Sequence, residues 1–97
     1  MELTSKQRKF LESKAHSLNP LVIIGGGGVT EEQIKQINAM LKNHELIKIK
    51  FNEFKDEKFS LTEEIARKTD STLVRIIGNV AILFKQAEEK EKRNFIK

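Results

Sequence analysis

The chain has 97 residues, with 18 Lys and Arg against 14 Asp and Glu, a net charge of +4 and no cysteine. Such a length holds one domain with one modest core. The lack of Cys excludes a disulfide framework, a thiolate zinc site and a cysteine nucleophile, and fits a reducing, cytoplasmic setting.

Met1 to Lys6 lack the apolar stretch of a secretory signal. The longest apolar runs, Leu21 to Ile24 and Val80 to Phe84, fall far short of the ~20 residues that span a bilayer, so no membrane association is expected. Thr4-Ser5-Lys6-Gln7 has the spacing of a capping box. Leu3, Phe10, Leu11, Ala15 and Leu18 follow on one helical arc, with Lys6, Lys9, Ser13 and His16 opposite and Arg8 and Lys14 flanking. Pro20 predicts an end near Leu18. Leu21 to Ile24 reads as a short strand buried on both faces. After four glycines, Thr30-Glu31-Glu32-Gln33 is a second capping box, with Val29 and Ile34 as its hydrophobic staple. Ile34, Ile37 and Leu41 continue that helix, and His44 marks its end.

Leu46 to Phe51 alternates with period two, placing Ile47, Ile49 and Phe51 inward and Lys48 and Lys50 outward. Residues 52–58 read as a loop, in which Phe54 is an anchor or, alternatively, a ring that stacks on a base. A third capping box, Ser60 to Glu63, predicts a short helix to about Thr69. Leu73 to Ile77 and Val80 to Phe84 flank Gly78-Asn79, a two-residue hairpin signal. Residues 1–86 form the expected domain, and the charged segment 87–97 is expected to fray. The order α-β-α-β-α-β-β predicts an α/β fold of the α+β two-layer kind: a small mixed four-stranded sheet, a right-handed βαβ unit, and the helices on one face.

The charge surplus lies toward the two ends, +2 over residues 1–20 and +3 after residue 70. Between them stands Gly25-Gly26-Gly27-Gly28, at a strand-to-helix junction. Helix N-termini carry free N–H groups and a positive dipole end, so a glycine turn feeding one suits an anion. No Gly is followed by Lys-Ser or Lys-Thr, which excludes a Walker A loop. Thr30 and Glu31 stand where G-x-G-x-x-G needs its last Gly, which argues against a dinucleotide site. Gly25-x-x-Gly28 remains, the pattern that clamps the backbone in KH-type RNA-binding modules. Lys6, Lys9 and Lys14 are expected beside the loop as a phosphate-tracking surface. His16 and His44 have no partners of a metal or catalytic site, and neither an enzyme nor a cofactor is expected.

Lys14-Ala15-His16, Pro20, Gly25-x-x-Gly28-Val29-Thr30, His44-Glu45-Leu46-Ile47-Lys48-Ile49-Lys50, Ile76-Ile77-Gly78-Asn79 and Phe84-Lys85 stand in this order. The set resembles the YhbY-like proteins, the stand-alone bacterial form of the CRM (chloroplast RNA splicing and ribosome maturation) domain, over roughly residues 2–86. The resemblance implies a non-enzymatic module that binds ribosomal RNA in large-subunit precursors. It also implies a fold similar to the C-terminal domain of translation initiation factor three. Family loops commonly hold a Lys inside the GXXG, where this chain has Gly26 and Gly27; the last strand commonly ends in Tyr, where it has Phe84. The expected RNA contacts are Lys6, Lys9, Lys14, His16, Gly25, Gly26, Gly27, Gly28 and Thr30, with Arg8, Lys48 and Lys50 as additional ones. A monomer is expected. Two alternatives stay open, an adaptor that binds a partner strand at a sheet edge and a small-anion or nucleotide binder at the glycine loop.

Overall fold

Thr4 opens the first helix, α1 (Ser5–Ala15), through the capping box its spacing predicts. The Gln7 N–H donates to Thr4 Oγ1 at 3.1 Å, and the Thr4 N–H donates to Gln7 Oε1 at 3.0 Å. The computed structural model describes all 97 residues. α1 ends three residues before the expected Leu18. The Leu18 N–H donates to Ala15 O at 3.0 Å, and the Lys48 ammonium donates to His16 O at 3.3 Å and Leu18 O at 3.0 Å. These bonds satisfy carbonyls that a longer helix would have used, and they turn the chain toward Pro20.

β1 (Val22–Ile24) buries Val22 and Ile24 but leaves Ile23 53% exposed. The expected burial on both faces fails because β1 lies at the sheet edge and α1 packs on other strands. Thr30 caps α2 (Glu31–His44) with the second predicted box, and Ile37 and Leu41 face the core. Glu45 then takes φ +61, and β2 (Leu46–Phe51) returns parallel to β1, with Ile49 opposite Val22.

Residues 52–58 contain one 3-10 turn, Lys55–Glu57, which leads directly into α3 (Lys58–Thr69). The third capping box therefore does not form. Ser60 is already inside the helix, and its hydroxyl donates to Glu57 O at 3.1 Å. A 3-10 turn is a common entry to an α-helix, and here it takes the place of a side-chain cap. β3 (Thr72–Ile77) and β4 (Val80–Phe84) make the predicted hairpin. Gly78 has φ +58 and Asn79 has no positive φ, which identifies a II′ turn. The sheet is mixed, in the order β1-β2-β4-β3.

α2 and α3 cover the face bearing Ile47, Ile49, Phe51, Ala81 and Leu83. On the opposite face Leu11 and Ala15 of α1 pack with Leu46, Val74, Ile82 and Phe84. Adjacent strand residues point to opposite sides, so the pairs Leu46/Ile47 and Leu83/Phe84 divide between two cores. The expectation that all helices share one face is overturned at α1. The central strands β2 and β4 are apolar on both sides at this end, and each side needs a cover.

Residues 87–97, expected to fray, are instead tied to the second core. Phe95 and Ile96 pack against it, with the Phe95 ring edge-on to Phe84 at 6.3 Å between centroids. The Glu45 carboxylate, 2% exposed, accepts the N–H groups of Ala87 and Asn94, both at 2.7 Å. The segment's high charge masks these two apolar residues in a composition reading.

Candidate nucleic-acid interface

β2 and β3 end, and β4 begins, at the end of the sheet where β1 releases the glycine loop. Three connections meet there. The N–H groups of Asn52 and Glu53 donate to Ile24 O at 3.0 and 3.2 Å. Phe51 N–H donates to Asn79 O at 2.8 Å, and the Lys58 ammonium donates to Gly78 O at 2.6 Å and Asn79 Oδ1 at 3.1 Å. The glycine loop is thus carried on a braced platform.

Within the loop, the Gly28 N–H donates to Gly25 O at 3.0 Å and closes a turn. Gly28 favours glycine through its φ of +71; a Cβ there would make only an ordinary contact with Phe54 Cε2, at 3.6 Å. Gly25, Gly26 and Gly27 have no such preference. None has positive φ, and a Cβ on any of them would meet nothing within 4 Å. Gly26 and Gly27 are exposed, and their N–H groups have no acceptor in the chain. Three glycines that the fold does not require, two with free donors, leave a backbone that an outside group can approach closely.

The start of α2 contributes less than its sequence implied. The Thr30 hydroxyl accepts the Gln33 N–H at 3.1 Å as part of the cap. Glu31 and Glu32 occupy the first turn, where they already complement the helix dipole. The available anion donors are therefore the glycine amides.

α1 starts beside Thr72, whose hydroxyl donates to Met1 O at 3.1 Å, and ends at Lys48, so it runs toward the loop end. Glu12 pairs with Arg75 at 2.8 Å along the way. His16, Lys48, Ile77 and Val80 line a hollow of about 240 Å³ at its end. Next to it Ile23, Lys50, Val80 and Ile77 form one row across all four strands, uncovered by α1. Lys6 lies ten residues before His16, about 15 Å along the helix. The basic residues are thus spread along α1 and do not form a compact cluster at the loop.

The individual cations differ in availability. Lys6, Lys9 and Lys50 are exposed and join no ion pair. The Lys14 ammonium sits 5.5 Å from the Phe10 ring centroid, an arrangement that leaves it open to solvent. Lys48 serves the carbonyls after α1. Arg8 is committed to the fold. Its guanidinium donates to Leu73 O at 2.9 Å and also to Val74 O, where the β3–β4 register is broken by a bulge. Arg8→Ala is expected to cost about 1.5–3 kcal/mol, because it strips charged donors from two carbonyls. A thermal melt measures the loss, and RNA affinity per folded molecule is expected to hold.

Sequence reading passed over Arg8 as a clamp and gave Glu45 no role at all. Both act on backbone groups more than forty residues away, and no local pattern signals that. No group of three His, Cys, Asp or Glu is placed to hold a metal ion, and no helix is long and apolar enough to cross a membrane.

The model of the family described as CRS1 / YhbY (CRM) domain matches residues 3–85. The "Probable RNA-binding protein YqeI" of Bacillus subtilis is 40% identical over 91 residues, 93% of this chain and 95% of that protein. An "RNA-binding protein" of Haemophilus influenzae is 39% identical over 88 residues, 90% of this chain and 89% of that one. The solution structure of SAV1595 from Staphylococcus aureus superposes with a TM-score of 0.79 at 38% identity, over 98% of this chain and all of that one.

Proposed function

From its place in the CRS1/YhbY (CRM) domain family, to which this chain belongs, we propose that it is a non-enzymatic RNA-binding module. Its target is ribosomal RNA in precursors of the large subunit, and it acts in the cytoplasm as a monomer without a cofactor. The carrying observation is the exposed amide pair of Gly26 and Gly27, at two positions where the fold itself does not need glycine. A phosphate accepts those two N–H groups. Lys9, Lys14 and His16, with Lys6 farther out, follow the backbone toward it, and Lys50 faces it from the sheet. Phosphate contacts of this kind position RNA without reading its sequence. The relatives named above as RNA-binding proteins support the choice of polyanion.

Crosslinking in cells followed by sequencing of the bound RNA tests the target. Enrichment of large-subunit ribosomal RNA is expected, and recovery of none would overturn it. The electrostatic part has its own measurement. With about four phosphates contacted, log affinity should fall against log salt with a slope of about −3 to −4. A slope near zero would remove the phosphate contacts.

A further inference from the structure

We propose that the Phe54 ring is a stacking platform for one unpaired base of the RNA whose backbone the glycine loop holds. The proposal rests on the reading of Gly26 and Gly27 as a phosphate site. Phe54 stands at φ +56 and ψ +37, in the left-handed region that bulky residues avoid. Strain of that kind persists only where surrounding structure enforces it, and it gathers at binding sites. Burial does not explain it, because the residue is 41% exposed.

The ring meets the glycine loop through its outer edge. Cε2 and Cζ lie 3.6 and 3.8 Å from where a Gly28 Cβ would stand. No aromatic partner occupies its faces, since the one aromatic pair in the chain is Phe84 with Phe95. No cation covers them either, since the one cation–ring contact is Lys14 with Phe10. A planar apolar surface thus stands at the mouth of a turn with two free backbone donors. Single-stranded RNA is bound by this pairing of held phosphate and stacked base, whereas a duplex keeps its bases inside.

The sequence has no Trp, so Phe54→Trp creates a single fluorescent reporter. Titration with single-stranded oligoadenylate at low salt should quench its emission, and the oligoadenylate–oligouridylate duplex should not. Phe54→Leu keeps an apolar anchor but removes the π face. It should weaken oligoadenylate binding about tenfold with an unchanged melting temperature. Unquenched emission at saturation, or wild-type affinity in Phe54→Leu, overturns the platform. Gly26→Asp separates the two readings. If it weakens binding while Phe54→Leu does not, only the platform falls; if neither weakens binding, the loop site falls with it.

Discussion

Replacing Gly26 and Gly27 together by Asp is expected to reduce RNA affinity by one to two orders of magnitude while leaving the fold intact. The reduction follows from charge. A carboxylate about 4 Å from a phosphate opposes binding by about 1 kcal/mol in water, and by about 4 at the effective dielectric near a protein surface. Two such groups exceed the 1.36 kcal/mol that corresponds to a factor of ten. The intact fold follows from space. Neither position has positive φ, and neither Cβ would meet an atom within 4 Å. Gly26→Ala with Gly27→Ala supplies the opposite sign. It narrows the unfolded ensemble and should stabilise the protein by about 1 kcal/mol, or about 4–8 °C in Tm. Wild-type affinity in the Asp variant, measured by fluorescence anisotropy, would sink the loop assignment.

Glu45→Ala should be the most damaging single change away from the apolar core, at about 2–4 kcal/mol. Its buried carboxylate accepts two backbone N–H groups, from Ala87 and Asn94. Bonds to a charged acceptor are roughly twice as strong as neutral ones, and donors left buried without a partner are costly. The Glu45 carbonyl also accepts the Lys85 N–H at 2.8 Å, so one residue fastens both the start and the body of the C-terminal segment. Release of that segment should free Phe95 and Ile96 from the second core. Hydrogen exchange at residues 87–97 should then accelerate in Glu45→Ala. Deleting residues 87–97 should cost a similar amount, and the two changes combined should cost far less than their sum. Full additivity would show that Glu45 acts elsewhere.

These two cases mark what the sequence could reveal. Elements specified within a few residues were legible: the caps at Thr4 and Thr30, the alternation of Ile47, Ile49 and Phe51, and the Gly78-Asn79 turn. The glycine loop was legible for the same reason. Readings failed where a distant partner decided the outcome. Lys48 reads as the solvent side of a strand, yet it donates to the carbonyls of His16 and Leu18 just after α1. Ser60 has the spacing of a cap, but the turn before it had already started the helix. Ile23 lies in an apolar run, yet the position of α1 leaves it exposed. Glu45 stands in a recognisable segment, but its role was not legible, because its partners are backbone amides that every residue carries.

The placement of α1 bears on how the protein is made. Leu3, Leu11 and Ala15 leave the ribosome before Val74, Ile82, Phe84, Phe95 and Ile96, residues they pack with. Until those residues emerge, the first helix has its apolar side uncovered. Such long sequence separations slow closure of the core, and an exposed apolar stripe invites misassociation in the interval. Stalled nascent chains that stop before Val74 should therefore be protease-sensitive at α1, with protection gained only once the hairpin has emerged.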